Sequence, residues 1–239
     1  GIKGADFDQL EQRLNDAKKA LSFKPDGAKA YNNMGTALQK QNKLEEAIEA
    51  YNKALSFKPD YVDAYNNMGT ALQKQNKLEE AIEAYNKALV IKPDYADAYY
   101  NMGIALQKQN KLEEAIEAFN KALSFKPDYV DAYNNMGIVL KDQGKLEEAI
   151  EAFNKALSFK PDYAEAYNNM GTVLQDQGKL EEAIEAYNKA LVIKPDYAEA
   201  YNNMGIALKD QDKLEEAIEA YNKALSFKPD YVDAYNNMG

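Results

Sequence analysis

The sequence predicts an all-α chain built as a tandem array of helix-turn-helix repeats, on three observations. Pro25, Pro59, Pro93, Pro127, Pro161, Pro195 and Pro229 recur at a spacing of 34, each inside Lys-Pro-Asp, with nearly identical text between them. Each period carries two apolar patterns at helical spacing. Tyr31, Met34 and Leu38 mark a first helix, and Leu44, Ala47, Ile48, Tyr51, Ala54 and Leu55 a second. Finally, 46% hydrophobic and 28% charged residues over 239 positions suffice for a packed core and exclude a collagen-like, low-complexity or disordered chain. The periodicity favours one elongated body over two independent domains.

Residues 1–27 depart from the period. Over 6–24 they align with a second helix, Leu10, Leu14, Ala20 and Leu21 matching Leu44, Ile48, Ala54 and Leu55, while Arg13 stands in the place of Ala47. Arg cannot fit a tight helix crossing. These residues are therefore expected to form a capping half-repeat of second-helix type. Six full repeats follow at 28–61, 62–95, 96–129, 130–163, 164–197 and 198–231. Within a repeat, Asn42-Lys43 forms the turn between the helices, and Gly144 and Gly178 replace the Asn in the fourth and fifth repeats, as a residue at positive φ requires. Pro59 ends the second helix, since it lacks an N–H and disfavours α geometry at Lys58.

Asp60 stands where an N-cap belongs. Asp63, Asp97, Asp131, Glu165 and Glu199 lie three residues after Asp60, Asp94, Asp128, Asp162 and Asp196, the spacing of a capping box, with contact to a ligand as the other reading. Gly35 and Ala47 are small where two helices must approach closely, and Ala54 where the next repeat's first helix packs. Residues 232–239 begin a seventh repeat, whose Tyr235 and Met238 are expected to leave an apolar stripe open to weak end-to-end self-association.

The inventory narrows function. His, Cys and Trp are absent, which removes imidazole bases, thiolate nucleophiles, Cys/His zinc sites, disulfides and Ser-His-Asp triads. No catalytic residue, metal site or cofactor is expected. A net charge of −10 and a pI near 4.8 argue against nucleic acid or an anionic membrane surface and favour a protein partner. No apolar run approaches the ~18 residues of a membrane span, and Gly1–Leu10 lacks the basic and apolar regions of a signal peptide. The chain is expected to be soluble, cytoplasmic and without membrane insertion.

On the residues Tyr31, Met34-Gly35, Leu38, Ala47, Tyr51, Ala54 and Pro59, the repeat resembles the tetratricopeptide repeat (TPR), and the match recurs six times over about nine tenths of the chain. The resemblance implies a right-handed superhelix, an α-solenoid, whose first helices line a concave groove that binds extended peptides. Carried over from the family, the groove ladder falls on Asn33, Asn67, Asn101, Asn135, Asn169 and Asn203, joined by Asn32, Asn66, Asn134, Asn168 and Asn202, with Tyr100 the exception. Helical geometry puts Lys29, Asn32, Asn33, Thr36, Gln39 and Lys40 off the apolar stripe, on free faces.

Paired mid-helix Asn residues cost up to ~0.7 kcal/mol each in helix propensity. An amide can offset this by bridging a peptide's C=O and N–H. The array also resembles the repeat region of the O-GlcNAc transferase family, where Asn residues matching Asn33 and its equivalents hold a peptide backbone. The other reading of the pairs is structural, one Asn of each bonding a neighbouring helix and setting the pitch. The Lys, Asn and Arg clamp of the chaperone-tail binders is not matched, since Thr36, Asp97 and Asn101 occupy its places.

Where the repeats differ, the free face is polarised. Lys40, Lys74 and Lys108 become Asp142, Asp176 and Asp210, and the repeat charges run +1, −1, −1, −2, −3, −3. Thr36 and Thr70 give way to Ile104, Ile138 and Ile206, with Thr172 between, which predicts a more apolar middle of the groove, unless the change is drift on a solvated surface. Glu45, Glu46 and Glu49 recur as a solvated face suited to the helix dipole. Tyr51, Tyr85, Phe119, Phe153, Tyr187 and Tyr221 interchange, so their rings are expected in the core. The function that follows is a non-catalytic scaffold holding an extended peptide or a partner-protein segment. Two other readings stay open: a substrate-recruiting segment of a larger, glycosyltransferase-like enzyme, and a near-consensus or engineered array without an evolved ligand.

Overall fold

The computed structural model describes residues 4–23 and 27–238, and these hold fourteen helices and no strand. They are α1 Gly4–Phe23, α2 Ala28–Lys40, α3 Leu44–Phe57, α4 Val62–Lys74, α5 Leu78–Ile91, α6 Ala96–Lys108, α7 Leu112–Phe125, α8 Val130–Asp142, α9 Leu146–Phe159, α10 Ala164–Asp176, α11 Leu180–Ile193, α12 Ala198–Asp210, α13 Leu214–Phe227 and α14 Val232–Met238. The side chains of Leu10, Ala20 and Leu21, on which part of the capping expectation rests, lie outside the described residues. Where the periodicity favours one elongated body, the helices group into two compact ones, Gly1–Pro127 and Asp128–Gly239. Within each, a helix packs on the helices next to it in sequence and a first helix also touches the next first helix. Contacts made only between near neighbours let such an array divide along the chain.

Each α-turn-α joint closes in the same way. Asn42, Asn76 and Asn110 sit at φ near +60°, as does Asp212 at 62°, while Gly144 and Gly178 take 74° and 73°. The N–H of Lys43 reaches back to the Leu38 carbonyl at 2.9 Å and that of Asn42 to Gln39 at 3.0 Å. This paired motif satisfies carbonyls that the helix end would otherwise leave open. At the other end of the repeat, Lys58 is extended (φ −136°) and its N–H closes on Ala54 at 2.9 Å before Pro59 stops the helix.

The capping-box expectation fails here. The N-cap positions are Tyr61, Tyr95, Tyr129, Tyr163 and Tyr197, one residue beyond the Asp, and none makes a side-chain cap. The Lys58-Pro59-Asp60 turn uses up the Asp before the helix begins. Two of the first-turn carboxylates instead serve between repeats: Tyr95 Oη donates to Asp63 at 3.1 Å and Tyr163 Oη to Asp131 at 2.9 Å. Lys58, Lys92, Lys160, Lys194 and Lys228 each lie over the ring two residues past their Pro, at 5.0 Å for Lys92 on Tyr95 and 4.2 Å for Lys194 on Tyr197.

The core of a repeat is one ring on one glycine. Tyr51 is fully buried, with Ala47 and Ala54 beside it at 0% exposure. A Cβ on Gly35 would lie 2.5 Å from Tyr51 Cε1, and on Gly137 2.7 Å from Phe153 Cε1. Only hydrogen fits there. Burying such a ring contributes ~2–3 kcal/mol per repeat. Tyr31 stacks on Phe57 at 5.7 Å between centroids, a pairing repeated by Tyr99 with Phe125 and Tyr201 with Phe227.

Candidate functional site

The first helices carry the polar residues singled out above, and the structure separates the two members of each Asn pair. Asn32, Asn66, Asn134, Asn168 and Asn202 are buried, at 4–7% exposure, and so do not stand on a free face. Their Oδ1 atoms accept from the next first helix. Asn67 Nδ2 donates to Asn32 Oδ1 at 3.2 Å, Asn101 to Asn66 at 3.0 Å, and Asn169 to Asn134, Asn203 to Asn168 and Asn237 to Asn202 at 3.1 Å each. The reason is geometric. A residue one position off the Tyr31, Met34, Leu38 stripe points sideways at the neighbouring first helix rather than out to water, and burial obliges it to find a partner.

The second Asn keeps a surface role. Asn33 is exposed and Asn67, Asn101, Asn135, Asn169 and Asn203 are half-buried. Because the clasp uses only Nδ2, the Oδ1 and a second N–H of Asn67, Asn101, Asn169 and Asn203 keep their bonding capacity. Tyr100, at the first-Asn place in α6, carries no amide; its ring lies 6.0 Å from that of Phe119.

Thr36 and Gln39 are also drawn inward. Tyr51 Oη donates to Gln39 Oε1 at 2.9 Å and lies 3.4 Å from Thr36 Oγ1, and Tyr85 repeats this with Gln73 at 2.9 Å and Thr70 at 3.5 Å. Tyr187 Oη donates to Gln175 at 3.1 Å. Burial pushes these hydroxyls up to about 12, the Thr hydrogen bond pulling the other way. Where the ring is Phe119 or Phe153, the Thr place holds Ile104 or Ile138. The Thr-to-Ile changes therefore follow the ring beneath rather than drift on a solvated surface. The sixth repeat breaks this rule. Tyr221 is 1% exposed, Ile206 and Lys209 replace its two partners, and its hydroxyl has no hydrogen bond. Lys209 Nζ reaches instead to the Asn237 carbonyl at 3.0 Å. This pairing of Tyr with Thr was visible in the sequence as covariation between repeats.

Lys40, Lys74 and Lys108 are exposed in the last turns of α2, α4 and α6, where cations suit the dipole, and none joins an ion pair among the described residues. Asp142, Asp176 and Asp210 end α8, α10 and α12, where the dipole disfavours them. Neighbours offset the cost: Lys141 Nζ lies 3.8 Å from Asp176, and Gln175 Nε2 donates to Asp210 at 3.1 Å. Not all of the acidic second-helix face is merely solvated, since Gln75, Gln109 and Gln177 donate to Glu45, Glu79 and Glu147 of the preceding repeat at 2.7–3.1 Å. At the last helix, Met238 packs on the cluster of Leu208, Ala217, Ala220 and Tyr221, while Tyr235 stays exposed. No helix among the described residues is long and apolar enough to cross a membrane.

Residues 8–234 match the family described as the cilia and flagella-associated protein 70 C-terminal domain, a TPR family. No curated protein sequence matches the chain. Among solved structures, it is similar to the APC/C hetero-tetramer Cut9-Hcn1 (TM-score 0.79, 17% identity, 96% of this chain and 45% of that one), so it spans under half of that neighbour's length. YrrB, described as a TPR protein with an unusual peptide-binding site, aligns at TM-score 0.62 and 28% identity over 79% of this chain and 97% of its own. MamA aligns at TM-score 0.63 and 30% identity over 70% and 97%.

Proposed function

The chain belongs to the tetratricopeptide-repeat family, and on that premise we propose that it is a non-catalytic scaffold holding an extended segment of a partner protein along its first-helix face. The backbone of the segment lies on the second Asn of each pair, Asn33, Asn67, Asn101, Asn135, Asn169 and Asn203. The observation that carries this reading is the clasp. It ties one N–H of the second Asn to the repeat before and so sets the plane of the amide, leaving an acceptor and a donor at each clasped second Asn, the pair that a peptide group requires. The first Asn residues hold that amide in place and do not touch the ligand. Lys40, Lys74 and Lys108 flank an acidic stretch of the segment, and Asp142, Asp176 and Asp210 a basic one. The peptide-binding site of YrrB supports the same general use of the fold.

Asn33 gives a clean test because it is exposed and takes part in no clasp. A peptide selected from a random display library against the immobilised chain should bind Asn33→Ala several-fold more weakly, about 1 kcal/mol for one lost hydrogen bond, at an unchanged melting temperature. Undiminished affinity, with the same result for Asn203→Ala, would overturn the Asn reading.

A further inference from the structure

A cleft of about 820 Å³ opens between α1 and the length of α2, lined by Arg13, Asp16, Lys29, Asn33, Thr36 and Lys40 with small residues among them. Three of those side chains are cations and one is an anion. Asp16 is already engaged, accepting from the Gln12 amide at 2.9 Å. Arg13, Lys29, Lys40 and Asn33 are exposed, and none has a hydrogen bond or ion pair among the described residues. The cleft is thus rich in donors and poor in acceptors.

Two features of the lining differ from every later repeat. Lys29 occupies the place that holds Asp63, Asp97, Asp131, Glu165, Glu199 and Asp233 in the other first helices, so a cation replaces a carboxylate there. Arg13 occupies the place of Ala47, which in every full repeat is an alanine sealed at 0–2% exposure. Both changes add positive charge to the same cavity, one from α1 and one from α2. A guanidinium with two ammonium groups and a primary amide around one cleft matches the chemistry of carboxylates, which guanidinium binds bidentately.

We propose that this cleft receives the carboxylate side chains of an acidic, Asp- or Glu-rich segment of a partner protein, with Arg13 as the residue that selects for it. The proposal rests on the binding role of the first-helix face and gives that face an acid-selective end. The segment enters beside Asn33 and places its acids between Arg13 and Lys29, and Lys40 extends the contact along α2. Uncharged segments gain nothing from this end.

The test uses the full chain and a short fluorescein-labelled Glu-rich peptide, read by anisotropy, with helicity checked by circular dichroism. The wild type should bind it with an affinity that weakens as ionic strength rises across the range where screening is strong, ~0.05 to ~0.3 M. Arg13→Glu should weaken binding about tenfold or more, and Lys29→Asp, which installs the residue the other repeats already accommodate, by a similar factor. Lys155→Glu, exposed on the second helix α9 and off the first-helix face, should change it far less. If Arg13→Glu and Lys29→Asp both bind as the wild type does, or the wild type fails to bind the peptide, the acid-selective cleft is overturned. In that event, loss of a library-selected peptide in Asn33→Ala would still uphold the Asn reading, so the two failures are distinguishable.

Discussion

Residues 1–127 and 128–239 are built on the same repeat and differ in charge, the first neutral and the second acidic. The first body holds 18 basic and 18 acidic residues, the second 11 and 21, so the whole net charge of −10 resides in the second. Their cores do not differ in kind: ring on glycine, Ala47-type and Ala54-type residues at zero exposure, and the Asn clasp recur in both. Packing admits one solution at those places, whereas the exposed last turn of a first helix admits either sign of charge. The change is also partly compensated where it occurs, since Lys141 and Gln175 stand against Asp176 and Asp210. Recognition can therefore diverge along an array whose architecture stays constant.

The largest expected effect tests whether the cores are equal. Gly69→Leu and Gly137→Leu should each cost ~3 kcal/mol or more, because even a Cβ would sit 2.5 Å from Tyr85 or 2.7 Å from Phe153. Thermal unfolding followed by circular dichroism should show similar losses. A harmless substitution in one body alone would break the equivalence.

Alkaline unfolding should follow next in size. Burial raises Tyr51, Tyr85, Tyr187 and Tyr197 from 10.0 to about 12. A hydroxyl that holds its proton more tightly when folded contributes stability that is complete below pH 10 and lost as pH rises through 12. Urea titrations at stepped pH should give midpoints that hold to about pH 10 and then fall. Ultraviolet titration should show a late-ionising class of tyrosines, and a constant urea midpoint to pH 12 would refute the coupling.

Loss of a clasp is smaller. Asn66→Ala and Asn168→Ala remove the acceptors for Asn101 and Asn203, and each should cost about 1 kcal/mol, since the orphaned amide is half-buried and finds water. Equal losses in the two bodies would confirm a common structural device.

The smallest effect has opposite signs within one kind of substitution. Tyr85→Phe should lose ~1 kcal/mol by stripping Gln73 of its donor. Tyr221→Phe should leave stability unchanged or raise it, because the hydroxyl it removes is buried without a hydrogen bond. A comparable loss at Tyr221 would show that this hydroxyl is satisfied in solution.

Much of the architecture was legible in the chain itself. The 34-residue period, two helices per repeat, the left-handed residue at Asn42 and its Gly144 and Gly178 substitutes, the stop at Pro59 and the small residues at Gly35 and Ala47 all follow from short-range rules of backbone geometry and volume. What needed the tertiary structure were the choices made between helices. Asn32 and Asn33 are adjacent and chemically identical, yet one is buried under the next first helix and the other faces water, a distinction set by a rotation of ~100° about the helix axis relative to a neighbour 35 residues away. Asp63 looks like a cap by spacing and becomes the acceptor for Tyr95, because a turn that begins one residue later moves it out of capping register. Sequence periodicity specifies which way a side chain points from its own helix. Whether another helix waits there, and with which partner atom, is decided only when the repeats pack.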